Sequence, residues 1–126
     1  EAVAALSMRP GPAAPKARRE DRELVEQAEA VMSARLSERL TAESIAGELF
    51  VSRSRLCEAF RRVRGSGVAE TLRKERMDAA CRLLSAGGAH IADVARAVGY
   101  ARSSSFDEAF RREFGCSPAQ WRQDAV

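Results

Sequence analysis

The sequence predicts an all-α fold of about seven helices, arranged as two similar units joined by a long linking helix. Two observations indicate this fold. Apolar residues recur at helical spacing over most of the chain, and one five-residue string occurs twice, fifty positions apart. No window alternates apolar and polar residues as a half-buried strand does. With 126 residues, 45% of them apolar, the chain can bury a core and suits one domain or two small ones.

The first nineteen residues are predicted to be a flexible linker, because they contain three of the four prolines and little that could pack in a core. The opening apolar stretch has no basic segment before it and is too short for a signal peptide. We expect the linker to follow an upstream domain that is absent from this chain. The chain then divides into a linker over 1–19, a first unit with its linking helix over 20–86, and a second unit over 87–126.

Helix boundaries follow from apolar spacing and capping residues. An apolar stripe with spacings of three and four predicts a first helix over about 22–37. Thr41 is a suitable cap for a short second helix, and Ser52 caps a third over about 53–64. The longer linking helix ends at Gly87. One of its faces carries Leu72, Arg76, Ala80, Leu83 and Leu84.

The same order of elements returns in the second half of the chain. Ile91 begins a short apolar helix, residues 99–101 form a turn, and residues 103–114 form a longer helix. Pro118 lies just inside a final helical turn. The second half therefore restarts the cycle of a short helix, a turn and a longer helix.

The repeat links the two halves residue by residue. The string Glu-Ala-Phe-Arg-Arg at 58–62 recurs at 108–112, and Gly65 recurs as Gly115. Each half therefore consists of a short helix, a tight turn, a longer helix and a glycine. This order makes each half a helix-turn-helix candidate.

Helical geometry separates a buried face from a polar face on each longer helix. With about 100° per residue, Leu56 and Phe60 share one side of the first copy, while Ser54 and Glu58 point away from it. The second copy places its aromatic and polar residues in the same way. Its inner side carries Phe106, Ala109 and Phe110, and its outer side carries Ser104 and Glu108.

In helix-turn-helix proteins the second helix enters the major groove of DNA, and its N-terminal part reaches the base edges. The predicted base contacts are Arg53, Ser54, Arg55, Cys57, Glu58, Arg102, Ser103, Ser104, Ser105, Asp107 and Glu108. Cations one turn further along suit phosphate contacts, which fix the register without reading sequence. The predicted phosphate contacts are Thr41, Arg61, Arg62, Arg111 and Arg112.

Charge is distributed unevenly along the chain. The total of 21 basic and 18 acidic residues gives a net charge of +3. Residues 20–48 contain eight acids and three bases, whereas residues 49–76 contain eight bases and three acids. A helical segment this basic indicates an anionic partner such as nucleic acid, although a solvated surface face gives the same count.

The sequence gives little support for a disulfide framework, a metal or cofactor site, or an enzyme. The three cysteines are widely spaced and His90 is the only histidine, so we predict neither a disulfide framework nor a metal site, and no cofactor. No nucleophile and base are paired, so we do not predict an enzyme. Cys57 is predicted to be an exposed thiol near arginines, which leaves redox sensing as an alternative. Arg76, on the apolar side of its helix, is predicted to be a structural ion-pair partner.

These residues resemble the C-terminal DNA-binding domain of the AraC/XylS family of bacterial transcription regulators over about residues 40–122. The second half carries the fullest likeness, in Ile91, Val94, Ala95, Val98, Gly99, Tyr100, Ser104, Phe106, Phe110, Arg111, Phe114, Gly115, Ser117, Pro118, Trp121 and Arg122. The first half adds Leu40, Thr41, Ile45, Ala46, Val51, Ser52, Leu56, Phe60, Arg61, Arg62 and Gly65. The linking helix adds Arg76, Ala80, Leu83 and Leu84.

A few positions depart from the family pattern. Phe50 stands where the first turn usually has glycine, and Thr71 where an aromatic residue is common, so we expect altered packing in the first half. Ala101 and His90 stand where a capping hydroxyl is usual. Glu58 and Glu108 stand at positions where many relatives have arginine or another polar residue, so the base preference of relatives does not transfer.

The resemblance implies a sequence-specific, double-stranded DNA-binding domain of a cytoplasmic bacterial transcription regulator, most often an activator that contacts RNA polymerase. Tandem units predict an asymmetric site, with two helices in successive major-groove segments about 34 Å apart. Dimerisation is expected through the absent upstream domain, and we expect no effector site and no membrane contact in this segment. A helical adaptor that docks on the transcription machinery is the alternative.

Overall fold

The computed structural model describes residues 15–125, and this part of the chain contains helices and connecting turns but no strand. The helices are α1 (Pro15–Ala34), α2 (Ala42–Glu48), α3 (Arg53–Arg64), α4 (Val68–Ala86), α5 (Ile91–Ala97), α6 (Ser103–Phe114) and α7 (Pro118–Ala125). These seven helices confirm the predicted fold class. None of those within the described range is both long and apolar enough to cross a membrane.

The first helix begins earlier than the apolar pattern predicts. It starts at Pro15, whereas the sequence places its start near Arg22. Proline is tolerated in the first helical turn, where its missing N–H would have no helical partner, and the residues that follow are good helix formers. Residues 15–19, predicted as part of the linker, are therefore helical, and the rest of the predicted linker lies outside the described residues.

Local caps explain where the helices of the first unit begin and end. The Thr41 hydroxyl accepts a hydrogen bond from the Ser44 backbone N–H at 3.0 Å, and the Ser44 hydroxyl accepts one from the Thr41 N–H. The Ser52 hydroxyl caps α3 by accepting a hydrogen bond from the Arg55 N–H at 3.0 Å. Gly65 ends α3 in the left-handed conformation.

In the second unit, α5 and α6 begin without a side-chain cap, since neither His90 nor Arg102 makes a capping hydrogen bond. This agrees with the prediction that His90 leaves α5 without a capping hydroxyl, whereas the cap position of α6 is Arg102, one residue after the predicted Ala101. The last helix does have such a cap, because the Ser117 hydroxyl accepts a hydrogen bond from the Gln120 N–H at 3.1 Å.

Two apolar cores lie on either side of the middle of α4. The first joins α1, α2 and α3 to the start of α4 around the fully buried Phe60. The second joins the rest of α4 to α5 and α6 around the fully buried Phe106 and Phe110. The linking helix thus supplies one wall of each core.

Two large apolar side chains, one in α4 and one in α6, are partly exposed. Leu83 in α4 is 38% exposed. Phe114 is 36% exposed at the end of α6. Its ring still packs beside Phe110, with 4.5 Å between the centroids, and beside the half-buried Trp121.

Arg76 connects the two units from the centre of α4. Its guanidinium donates hydrogen bonds to the carbonyl oxygens of Leu36 and Glu38, between α1 and α2, and to that of Val98, which ends α5. The side chain is buried, and this burial lowers the pKa of the guanidinium. The prediction of an ion pair is therefore wrong: the partners are three backbone carbonyls, which sequence alone does not identify.

Gly99 leaves the space that this arrangement requires. Its φ is +99°, and a Cβ atom built there would overlap the guanidinium of Arg76 and the carbonyl oxygen of Leu36. Any side chain at this position would displace the arginine. The turn between α5 and α6 therefore requires glycine for packing as well as for its backbone conformation.

We expect Gly99→Ala to lower the free energy of unfolding by about 3 kcal/mol or more, since it adds a steric clash with Arg76 to the backbone strain. Gly65→Ala is the matched control, because Gly65 has φ of +74° but open space around its Cβ position. The control should cost about 1–2 kcal/mol, the strain of a left-handed alanine alone. Urea denaturation measures both, and equal losses would contradict the steric role of Gly99.

Candidate nucleic-acid interface

The turns that precede α3 and α6 have the same geometry. In the first, the Val51 N–H donates to the Ala46 carbonyl at 3.1 Å; in the second, the Tyr100 N–H donates to the Ala95 carbonyl at 2.9 Å. Phe50 occupies the left-handed position of the first turn with φ of +59°. The expected change in packing at Phe50 does not alter the turn, since the phenyl ring points into solvent and is 94% exposed.

The outer face of α3 is polar. Leu56, Ala59 and Phe60 are buried against the first core, whereas Ser54 and Glu58 are exposed. Three other predicted contacts on this helix differ in exposure, since two arginines are exposed and one cysteine thiol is half-buried. These residues are Arg53, Arg61 and Cys57.

The outer face of α6 has the same organisation. Phe106 and Phe110 are buried, and the predicted base and phosphate contacts lie outside them. Asp107 is half-buried and accepts a hydrogen bond from Nε of Arg111 at 2.7 Å, so these two predicted contacts are paired with each other. The exposed members are Arg102, Ser103, Ser104, Ser105, Glu108, Arg111 and Arg112.

The first unit contains a buried carboxylate that the sequence analysis did not select. Asp21 in α1 is 2% exposed and faces two arginines of α3. Its Oδ1 accepts from Nη1 of Arg55 at 2.7 Å, and its Oδ2 accepts from Nε of Arg62 at 2.7 Å. The Arg62 bond, and then that of Arg55, hold the pKa of Asp21 below its usual value, against the effect of burial.

A second carboxylate of α1 also binds α3. Glu29 accepts two hydrogen bonds from Arg64, at 2.7 and 2.8 Å. Three of the five arginines of α3 are thus paired with α1, and the other two, Arg53 and Arg61, have no such partner within residues 15–125.

The sequence does contain a signal for the contact at Asp21. This residue precedes Leu24, Val25 and Ala28 at helical spacing, so it lies on the apolar stripe of α1. A carboxylate on the buried side of a helix requires a partner, because burial of an unpaired charge is costly. The sequence does not identify that partner.

Within residues 15–125, the second unit contains no buried carboxylate bound by arginines of α6. Arg112, the repeat partner of Arg62, makes no ion pair in the described part of the chain. The two units therefore share a backbone arrangement but differ in how their arginines are held.

The remaining predicted residues have ordinary structural settings. Thr41 is exposed at the start of α2, where its side chain forms the cap. Cys57, Cys81 and Cys116 are free thiols. Within the described range, no group of three or more His, Cys, Asp or Glu residues could hold a metal ion.

Comparison with known proteins gives consistent matches over most of the chain. Residues 45–124 match a protein family described as a helix-turn-helix domain. Over 83 residues, 66% of the chain, it is 39% identical to the RCS-specific HTH-type transcriptional activator RclR of Escherichia coli (strain K12). That segment is 29% of RclR, so the chain spans less than a third of this relative.

Solved structures show the same similarity. The C-terminal domain of AraT, a response regulator from Geobacillus stearothermophilus, superposes with a TM-score of 0.77 and 32% identity, covering 80% of this chain and 84% of that one. The DNA-binding domain of the global transcriptional factor AdpA, in complex with a target DNA, gives a TM-score of 0.74 and 28% identity. That match covers 79% of this chain and 90% of the AdpA chain.

Asp21→Asn is expected to lower the free energy of unfolding at pH 7 by about 1–3 kcal/mol, because both arginines lose a charge-assisted hydrogen bond. The folded pKa of Asp21 lies below the unfolded value of 3.8, so its stabilisation is present above pH 3.8 and is lost as the pH falls through the folded pKa. The difference between wild type and variant in urea denaturation should therefore shrink below pH 3.8.

The control for this measurement is Asp93→Asn, which removes an exposed ion pair with Arg96 one turn along α5. It should change stability by no more than about 0.5 kcal/mol. A loss at Asp21 that stays constant as the carboxylate is protonated would contradict the assigned ion pairs.

Proposed function

Since the chain belongs to the AraC/XylS family of helix-turn-helix transcription regulators, we propose that it binds double-stranded DNA through the outer faces of α3 and α6. The observation that carries this proposal is the duplication: two helices with buried aromatic inner faces present polar outer faces from equivalent positions. A polar helix face that only contacts solvent has no reason to recur fifty residues later on a second helix with the same pattern of buried residues. AdpA, which shares the fold, is described in complex with a target DNA.

In this proposal the outer residues near the start of each helix read base edges. Ser54 and Glu58 do so from α3, and Ser104 and Glu108 from α6, because all four side chains are exposed opposite the buried aromatic residues. A carboxylate can accept a hydrogen bond from cytosine N4, whereas it repels phosphate. The two glutamates are therefore placed to favour cytosine over other bases.

Exposed arginines at the end of each helix supply the phosphate contacts. Arg61 in α3 and Arg112 in α6 have no ion-pair partner in the described range, and Arg111 is paired only with the half-buried Asp107. Such contacts hold the protein on the duplex in one register without selecting sequence. Together they add affinity that depends strongly on salt.

Both units belong to one chain and are connected through Arg76, so we infer that they bind together. Two recognition helices in tandem fit successive major-groove segments about 34 Å apart. Their different outer residues then require an asymmetric DNA site. The family also supports a role in activation through RNA polymerase, in the bacterial cytoplasm and without enzymatic activity, with dimerisation through another domain.

We expect the affinity for duplex DNA to fall with salt. If about six Lys or Arg residues contact phosphate, the logarithm of affinity should decrease with the logarithm of salt concentration with a slope near −5. Fluorescence anisotropy of a duplex selected from a random library measures this slope. A slope near zero would contradict groove docking, and binding of a protein partner that excess unlabelled DNA does not reduce would favour the adaptor.

The variants Arg61→Ala and Arg111→Ala should weaken binding to all duplexes by a similar factor, since phosphate contacts carry no sequence information. Glu58→Gln should instead change the preferred base at one position of the site. Arg82→Ala, on the exposed side of α4, is the matched loss of one positive charge and should change affinity little. Selection from random duplexes distinguishes these effects, and a uniform loss from Glu58→Gln would refute its assigned role.

A further inference from the structure

The contact between α1 and α3 divides the arginines of α3 into two groups. Arg55 and Arg62 are seven residues apart, or about two helical turns, so they lie on the same edge of the helix. That edge faces α1, where Asp21 binds both. The adjacent outer face, with Ser54 and Glu58, is exposed. Within residues 15–125, the side-chain hydrogen bonds to Asp21 come from the two arginines.

Asp21 holds these two arginines in a closely connected group. One carboxylate oxygen accepts from both, at 2.7 Å from Arg55 and 3.3 Å from Arg62, while the other accepts from Arg62 alone. The Asp21 side chain is 4% exposed, against 35% for Arg55 and 50% for Arg62. An arginine that left this group to reach DNA would leave a buried carboxylate with fewer partners, which is costly.

This group changes what α3 offers to DNA in two ways. One negative charge among two positive charges leaves a net charge of +1, which reduces the attraction of this edge for phosphate. Arginine is also the usual reader of guanine, through two hydrogen bonds. Because Asp21 binds Arg55, the Arg55 guanidinium is directed toward α1 and not toward the outer face of α3.

We propose that Asp21 is a specificity-determining residue of the first unit, which keeps Arg55 and Arg62 from binding DNA without regard to sequence. This inference rests on the proposed function. Base selection by α3 is thereby left to Arg53, Ser54 and Glu58. Arg55, predicted from the sequence to read bases, instead positions the helix against α1. In the second unit, Arg112, the repeat partner of Arg62, makes no ion pair within residues 15–125, so it is not restrained in this way.

The test compares Asp21→Asn with Glu23→Gln in the full 126-residue chain. Both variants remove one negative charge from α1, but Glu23 is exposed and makes no ion pair in the described range. Binding is measured by anisotropy over a range of salt concentrations, on the selected duplex and on an unrelated duplex. Thermal unfolding of each variant establishes that it is folded at the temperature used.

Asp21→Asn is expected to bind the unrelated duplex more tightly, by up to about eightfold at ~0.1 M salt for each new phosphate contact, and to make the salt slope more negative by about 1–2. The ratio of affinities for the selected and unrelated duplexes should fall. Glu23→Gln, a change at an exposed site, should leave that ratio within about twofold of wild type. A purely structural role of Asp21 would weaken binding to both duplexes, so equal or weaker binding to the unrelated duplex would overturn the proposal.

A second variant provides a test that does not require Asp21 to be changed. Arg55→Ala should leave the base preference of the selected site unchanged, because Arg55 reads no base in this proposal. A changed preference at any position would overturn it. If the wild-type chain bound no duplex, the proposed function itself would fail, whereas wild-type binding with identical behaviour of the two α1 variants would refute only the role of Asp21.

Discussion

The arrangement of the two units depends on one buried guanidinium. Arg76 lies between the two apolar cores and donates to carbonyls from the α1–α2 connection and from the end of α5. Hydrogen bonds from a charged donor contribute more than neutral ones, and the low dielectric of the surroundings strengthens them further. Because the partners belong to the backbone of both units, the bonds hold the units themselves and not only neighbouring side chains. Apolar contacts alone, which have little directional preference, would fix this relative position less well.

The two units share a backbone arrangement but differ in the ion pairs that their arginines make. The acidic segment that precedes the basic one along the chain folds so that α1 lies against α3, and its carboxylates pair with three arginines there. The net charge of residues 49–76 is therefore larger than the positive charge that α3 leaves unpaired for an anionic partner. In α6, Arg111 pairs with Asp107 of the same helix, and Arg112 makes no ion pair within the described part of the chain. We infer that pairing with α1 lowers the phosphate attraction that α3 would otherwise provide.

Local signals in the sequence predict the helices, their order and their outer faces, because caps such as Thr41 and periodic apolar residues act over one or two turns. Contacts between distant residues are not predictable in this way. Asp21 and Arg55 are 34 positions apart, and no local pattern pairs them. Arg61 has the same chemistry on the same helix, yet within residues 15–125 it pairs with no carboxylate of α1, whereas Arg55, Arg62 and Arg64 do. For Arg76, the apolar side of its helix predicts burial but does not reveal that carbonyls surround it.

Arg76 restricts which residue can occupy the turn before α6, but it does not restrict the turn before α3. Phe50 and Gly99 both adopt positive φ in turns closed by equivalent hydrogen bonds. A left-handed residue other than glycine costs about 1–2 kcal/mol, which a stable unit can tolerate when the side chain has free space. Phe50 has that space, whereas the Cβ position of Gly99 is occupied by Arg76. Glycine in the second turn is therefore required by a contact with α4, and the first turn can differ because Arg76 does not reach it.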